Sequence, residues 1–151
     1  MTPWNPLTFA TATAADLDEL VAIRIEAMRE SLEEIGRFDP VRARERFSSG
    51  FDPRYTQFVI VGGLRAGFVV VKPQGRELLL DHLYVSTSFQ RRGIGAAILT
   101  ELFVQADALG VPIRVGALRQ SASNRFYLRH GFIQVDESEW DVYYVRWPRT
   151  T

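Results

Sequence analysis

The spacing of hydrophobic residues along the chain alternates between a helical period and short strand-like runs. Apolar residues recur every three or four positions where we predict helices, and strands are predicted in β-branched runs bounded by glycine or proline. Capping signals precede two helices: Thr13 with Asp16 has the pattern of a capping box, and Asp39-Pro40 supplies an N-cap followed by proline. The predicted elements are a strand over 7–13, helices from 17 to before Gly36 and from 40 to about 48, strands over 57–61, 66–72 and 77–85, a helix over 94–109, a strand over 113–117, a helix over 121–130, and strands over 132–135 and 142–147.

The order of these elements indicates the class of fold. Strands and helices alternate along the chain, and a mixed α/β (α+β) sheet covered by helices on both faces accommodates that order. Leu78-Leu79-Leu80 lacks alternation, which predicts a strand covered on both faces. Because the chain has 151 residues and no convincing linker or repeat, we expect a single domain over 1–151.

Composition excludes several classes of function. The 18 Lys and Arg balance the 18 Asp and Glu, so we expect no general attraction for nucleic acid or acidic membranes. The absence of cysteine excludes disulfides and thiolate metal sites, and two histidines are too few for a histidine-rich metal site. No apolar run approaches the roughly 20 residues that cross a bilayer, and no secretory signal is visible. We therefore expect a cytoplasmic protein that has no membrane partner and uses no metal.

Residues 90–96, Gln-Arg-Arg-Gly-Ile-Gly-Ala, form the most informative segment, between a strand and a long helix. Gly93 and Gly95 let the backbone approach a bulky anion and adopt conformations closed to other residues. The free N–H groups and positive dipole end of a helix start suit a phosphate, and Arg91 and Arg92 add attraction. On spacing alone, the alternative is a glycine-rich turn with solvated arginines.

Two familiar phosphate-binding loops do not fit this segment. A Walker loop ends in Gly-Lys-Ser or Gly-Lys-Thr, whereas Gly95 is followed by Ala96 and Ala97. A dinucleotide-binding fold needs three glycines in the first unit of a repeated parallel pattern, and no such pattern precedes this loop.

The segment 90–96 resembles the Gln/Arg-x-x-Gly-x-Gly/Ala signature of the GCN5-related N-acetyltransferases (GNAT family). The order of elements is similar to that family from near Leu7 to Trp147. Two further segments resemble the conserved blocks before and after the signature: Leu83-Tyr84-Val85 with Phe89, and Asn124-Arg125-Phe126-Tyr127 with Gly131-Phe132. The resemblance implies the acyl-CoA N-acyltransferase fold, a mostly antiparallel sheet of about seven strands flanked by about four helices. It also implies an enzyme that transfers acetyl from acetyl-CoA to a primary amine of a small molecule or peptide.

The resemblance also implies which residues hold the cofactor. Backbone groups of Leu83 and Val85 would bind the pantetheine arm in the manner of an added strand. Main-chain amides over 91–96 would bind the pyrophosphate, and Asn124 would lie near the cofactor. The implied cofactor-binding set is Leu83, Tyr84, Val85, Gln90, Arg91, Arg92, Gly93, Ile94, Gly95, Ala96 and Asn124.

Acetyl transfer needs a polarised thioester carbonyl and a proton for the leaving thiolate. The resemblance assigns the first role to the backbone N–H of Val85. It assigns the second to the phenol of Tyr127, as general acid. The alternative for Tyr127 is a core aromatic residue packed beside Phe126.

The attacking amine must also lose a proton, and three residues of one predicted strand are candidate bases. Glu77 resembles the glutamate that serves as base in the ribosomal-protein acetyltransferases. Asp81 and His82 lie further along the strand, on opposite faces. Each of the three also has a structural alternative, because a buried Asp81 or His82 would need a partner and Glu77 could be solvated.

Alternatives remain open for the acceptor side and for the function. An acidic run at Glu30, Glu33 and Glu34 would suit a cationic amine or a solvated helix face. The C-terminal aromatics Tyr143, Tyr144 and Trp147 would suit a homodimer interface or the core. The alternative function is a non-catalytic acyl-CoA sensor or regulatory module, and a further alternative is a structural domain whose loop binds nothing.

Overall fold

The computed structural model describes residues 7–34 and 36–149, and within them seven strands form one mixed sheet. The strands are β1 (Thr8–Thr11), β2 (Thr56–Val61), β3 (Leu64–Gln74), β4 (Glu77–Val85), β5 (Ile113–Leu118), β6 (Ile133–Glu137) and β7 (Asp141–Arg146). The helices are α1 (Leu17–Glu34), α2 (Pro40–Gly50), α3 (Ile94–Leu109) and α4 (Ser123–Arg129). The strand order is β1-β2-β3-β4-β5-β7-β6. The pairings β1–β2, β2–β3, β5–β7 and β6–β7 are antiparallel, whereas β4 and β5 run parallel. The predicted mixed sheet of seven strands with four helices is confirmed.

Local capping chemistry explains the helix starts. The carboxylate of Asp16 accepts hydrogen bonds from the Thr13 N–H at 2.8 Å and the Thr13 hydroxyl at 3.1 Å, as the capping box predicts. One turn of 3₁₀ helix follows before α1 begins. Asp39 caps α2 by accepting from the Arg42 N–H at 3.2 Å, and proline occupies the first helical position. These side chains satisfy N–H groups that a helix start otherwise leaves unpaired.

Two expectations drawn from the sequence need correction. Helix α4 is shorter than the predicted 121–130, because the segment before Ser123 forms a turn that the side chain of Asn124 ties to the carbonyls of Leu118 and Ser121. The leucine run of β4 is not fully covered: Leu80 is buried, but Leu78 and Leu79 are half-buried.

The described residues divide into two compact units. The first contains β1 through Val70 together with His82–Gly95, and the second contains Val71–Asp81 together with the chain from Ala96 onward. In the first unit, apolar positions of α1 and α2 share a core with β2 and β3, and the ring of Phe47 lies 5.6 Å from that of Phe68. Full burial of such side chains stabilises the fold by about 1.5–3 kcal/mol each.

The core of the second unit lies between α3, α4 and one face of the C-terminal strands. Phe103 of α3 packs against Phe132 with ring centres 5.8 Å apart, and Tyr127 of α4 packs against Tyr144 at 6.2 Å. In the sheet, Val115 of β5 is in register with Tyr144 of β7. Among residues 7–34 and 36–149, none of the helices combines the length and hydrophobicity that crossing a membrane requires.

Candidate functional site

The loop between β4 and α3 has the backbone geometry of an anion-binding turn. A turn of 3₁₀ helix spans Thr87–Phe89. The chain then enters the left-handed region at Arg91, with φ 64°, and again at Gly93, with φ 75°. Such reversals turn neighbouring N–H groups toward one concavity, and α3 begins at the next residue with its own free amides. A left-handed arginine costs roughly 1–2 kcal/mol, a strain that typically marks functional loops.

The predicted phosphate-binding residues lie together in this loop and the first turn of α3. The side chains of Arg91 and Arg92 are exposed, as cations at the rim of an anion site should be. Ile94 is buried, with 2% of its surface exposed, and it anchors the helix start. Gly95 and Ala96 follow in the first turn of α3, half-buried.

The end of β4 is held by three hydrogen bonds. The Ser86 N–H donates to the Ala66 carbonyl of β3 at 2.8 Å. The Gln90 side-chain amide donates to the Val85 carbonyl at 2.9 Å, and the Thr87 hydroxyl donates to the carboxylate of Glu26 on α1. Gln90 was predicted to contact the cofactor, and in this structure its side chain braces the strand end. Glu26 was not predicted as part of the site, because its position on the polar side of α1 does not distinguish it from other solvated residues.

Leu83, Tyr84 and Val85 are half-buried at the end of β4. The ring of Tyr84 lies 5.4 Å from that of Phe68, and its hydroxyl donates to the sulfur of Met28 at 3.2 Å. The side chain of Tyr84 is therefore part of the first unit's core, so any role of Tyr84 in binding would fall to its backbone.

The three candidate bases have different surroundings. The carboxylate of Glu77 accepts a hydrogen bond from Arg114, which raises the pKa of that guanidinium. Asp81 forms an ion pair with Lys72 at 3.1 Å. His82 lies among aromatic rings, with its centroid 5.0 Å from that of Phe47, and its Nδ1 lies 3.3 Å from the Tyr84 hydroxyl. Each of the three therefore contacts another side chain of the protein.

Asn124 and Tyr127 lie in the second unit. The amide nitrogen of Asn124 donates to the carbonyls of Leu118 and Ser121, each at 3.0 Å, and its oxygen accepts from the Tyr144 hydroxyl at 2.7 Å. Tyr127 is 5% exposed and packs against Phe126 and Phe132. Burial raises the pKa of the Tyr144 phenol. Asn124 therefore bonds to groups of the protein itself. Tyr127 packs among aromatic rings, which is the arrangement expected if it is a core residue.

A cavity of about 530 Å³ opens on the second unit. Apolar side chains and three carboxylates line this cavity. Two of the carboxylates were not predicted as site residues, because nothing in their sequence spacing marks them. The polar and aromatic lining includes Asp81, Arg114, Asp136, Asp141 and Tyr143. Of the three candidate bases, Asp81 is the one that borders this cavity. Within the part of the chain that the structure describes, no three His, Asp or Glu side chains group closely enough to hold a metal ion.

The three aromatic residues near the C-terminus, for which a homodimer interface and the core were the alternatives, differ in burial. Tyr144 is 3% exposed and belongs to the core, whereas Tyr143 and Trp147 are 39% and 55% exposed. A homodimer interface at this edge stays a prediction.

Comparison with protein families places the chain in a class of acyl-group transferases. The sequence matches the model of the acetyltransferase (GNAT) domain over residues 53–134, more than half of the chain. The protein therefore belongs to the GNAT acetyltransferase family. Among curated proteins, the sequence has no significant match.

Solved structures share the fold at low sequence identity. The PaiA N-acetyltransferase of Thermoplasma acidophilum, crystallised with coenzyme A, superposes with a TM-score of 0.77 at 16% identity, covering 95% of this chain and 99% of its own. The ribosomal-protein-S18-alanine N-acetyltransferase of Escherichia coli gives 0.68 at 19% identity, covering 97% and 96%. An acetyltransferase of Thermus thermophilus gives 0.72 at 20% identity, covering 94% and 97%.

Proposed function

We propose that this protein is a single-domain N-acetyltransferase that transfers the acetyl group of acetyl-CoA to a primary amine of a small molecule or peptide, by direct attack of the amine on the thioester. The observation that carries the proposal is the pair of left-handed residues, Arg91 and Gly93, directly before α3. This geometry suits a pyrophosphate, and it lies inside the segment that matches the family model.

The residues of the loop fit the cofactor that the family uses. The amides of residues 91–96 would bind the pyrophosphate, and the exposed guanidinium groups of Arg91 and Arg92 would add charge-assisted contacts. The backbone of Leu83 and Val85 would bind the pantetheine arm as a strand binds its neighbour. The side chain of Gln90 would contribute indirectly, by holding the Val85 carbonyl.

The chemistry divides among a backbone group, a phenol and a carboxylate. The Val85 N–H would polarise the thioester carbonyl, and Tyr127 would protonate the departing thiolate. For the base, Asp81 is favoured over Glu77 and His82, because it borders a cavity large enough for a small amine. Glu77, held by Arg114, and His82, packed among aromatic rings, remain alternatives.

The acceptor is proposed only as a class. The names of two structural neighbours specify N-acetylation, one of them on an alanine of a ribosomal protein. Acidic lining of the cavity suits an amine that arrives as a cation and is deprotonated before attack. A cytoplasmic location and a homodimer remain predictions from the sequence.

The surroundings of two predicted site residues favour a second candidate function, a non-catalytic acyl-CoA sensor. Tyr127 is nearly buried, and Asn124 bonds to the protein's own backbone. A sensor would keep the phosphate loop without needing either side chain.

The test combines binding with turnover. Isothermal titration with acetyl-CoA should give saturable binding, and a thiol-release assay over polyamines, aminoglycosides, amino acids and peptide N-termini should give amine-dependent release of CoA. Binding without release by any amine would favour the sensor. No heat at millimolar acetyl-CoA would contradict both functions.

A further inference from the structure

Gly67 of β3 lies against the backbone at the end of β4. A Cβ atom built at this position would stand 2.1 Å from the Tyr84 carbonyl oxygen and 3.0 Å from the Val85 Cα. Real Cβ atoms essentially never come closer than 3.0 Å to other atoms, and the φ of Gly67 is not positive. Glycine is therefore required here by the close approach of another backbone segment rather than by its own conformation.

The position of the Tyr84 carbonyl determines where the next N–H points. The peptide bond between Tyr84 and Val85 is trans, as are the others in the described chain. In a planar trans peptide the C=O and N–H point in opposite directions. Because the Tyr84 oxygen is directed at Gly67, the Val85 N–H is directed away from it.

We propose that Gly67 is a positioning residue for acetyl transfer: by leaving room for the Tyr84 carbonyl, it aims the Val85 N–H at the thioester carbonyl of bound acetyl-CoA. The inference rests on the proposed function, in which that N–H polarises the carbonyl. Two hydrogen bonds restrain the next peptide, between Val85 and Ser86: the Ser86 N–H bonds to Ala66 beside Gly67, and Gln90 holds the Val85 carbonyl.

A methyl group at position 67 would force this peptide to move. Reaching even the closest separation that real Cβ atoms show requires a displacement of about 0.9 Å, the difference between 3.0 Å and 2.1 Å. A misplacement near 1 Å at a reacting group lowers turnover on the order of 100-fold. The phosphate loop over 90–95 would keep its geometry, and any weakening of the pantetheine contacts with the Val85 backbone would affect all coenzyme A derivatives alike.

The experiment compares two inert cofactor analogues on the wild type and the Gly67→Ala variant. S-acetonyl-CoA keeps a carbonyl oxygen, and S-propyl-CoA lacks it but is otherwise matched. The wild type should bind the acetonyl analogue about three- to tenfold more tightly, the worth of one hydrogen bond. In Gly67→Ala this ratio should fall to near one, whether or not affinity for coenzyme A itself also falls. Loss of stability alone would not change the ratio.

Val70→Ala is the matched control, because Val70 lies in the same strand and is buried in the first unit's core. It should lower the melting temperature but keep the wild-type ratio. If Gly67→Ala also keeps that ratio, the inference is wrong.

If Gly67→Ala does not fold, Ser86→Pro serves instead. Ser86 has φ −59° and ψ 147°, which proline adopts without strain, so the change mainly removes the hydrogen bond to Ala66. A reduced ratio in Ser86→Pro supports the inference, and an unchanged ratio overturns it. If the wild type binds neither analogue nor coenzyme A, the proposed function itself fails. If the variant binds both analogues with the wild-type ratio of affinities, only the positioning role of Gly67 fails.

Discussion

The proposed role of the Tyr127 phenol as general acid is what separates an enzyme from a passive acyl-CoA binder. Its side chain is 5% exposed and packs against Tyr144, another buried phenol, with ring centres 6.2 Å apart. Replacing either tyrosine by phenylalanine removes one hydroxyl from a similar buried environment. The two variants therefore form a matched pair.

We expect Tyr127→Phe to lower the turnover number by about 10²–10⁴-fold, the usual contribution of a general acid, without changing acetyl-CoA affinity. Tyr144→Phe should keep turnover within a few-fold, and it should lower the free energy of unfolding by about 1 kcal/mol through loss of its bond to Asn124. Thiol release and urea denaturation measure the two effects. Equal turnover in the two variants would remove Tyr127 from the mechanism.

At the scale of elements, glycine occupies the second of the two left-handed positions in the loop before α3. Gly93 has φ 75°, and Gly75, in the turn between β3 and β4, has φ 61°. Alanine at either position should cost about 1–2 kcal/mol of stability. Only Gly93 lies in the proposed pyrophosphate site.

Gly93→Ala should therefore weaken acetyl-CoA binding by tenfold or more, whereas Gly75→Ala should leave the dissociation constant unchanged at a similar loss of stability. Isothermal titration gives the affinities, and chemical denaturation shows that the stability losses match. A wild-type dissociation constant in Gly93→Ala would show that this loop does not hold the diphosphate.

Elements with strong local boundary signals were the ones that the sequence predicted best. The bounds of β4 and α3 were predicted without error, because a glycine turn precedes Glu77, and Gly93 and Gly110 enclose the apolar period of α3. Helix α4 was predicted too long, because the bonds of Asn124 that shape its start join residues through space.

The partners of the site residues could not be predicted in the same way. Glu77 pairs with Arg114, 37 positions away, and Thr87 bonds to Glu26 across 61 positions. Such pairs depend on which strands and helices become neighbours, and no local spacing encodes them. The glycines of the phosphate loop were predictable because their requirement is local.

At the scale of the whole molecule, the ion pair between a buried arginine and a partly exposed aspartate should contribute to the acid sensitivity of the second unit. Arg146 of β7 is 3% exposed and forms two hydrogen bonds with Asp107 of α3, at 2.8 and 3.1 Å. The hydrogen bond from Arg146, followed by that from the Arg149 backbone, lowers the pKa of Asp107 from 3.8 to about 2. Because the pKa is lower in the folded state, the pair stabilises the fold above about pH 4. That stabilisation is lost as the pH falls toward 2.

Asp107→Asn should therefore be less stable than the wild type at neutral pH, and the difference should shrink as the pH falls from 4 to 2. Urea denaturation at a series of pH values measures it. A difference that stays constant over this range would show that the charge of Asp107 contributes nothing.

The sheet order β5-β7-β6 has a consequence for how the chain is made. Of the seven strands described, β7 is synthesised last, and it must insert between two strands synthesised before it. Until β7 emerges, β5 lacks one neighbour and β6 lacks its antiparallel partner, and unpaired strand edges favour aggregation. Nascent or prematurely terminated chains that stop before β7 should therefore depend on chaperones far more than chains that contain it.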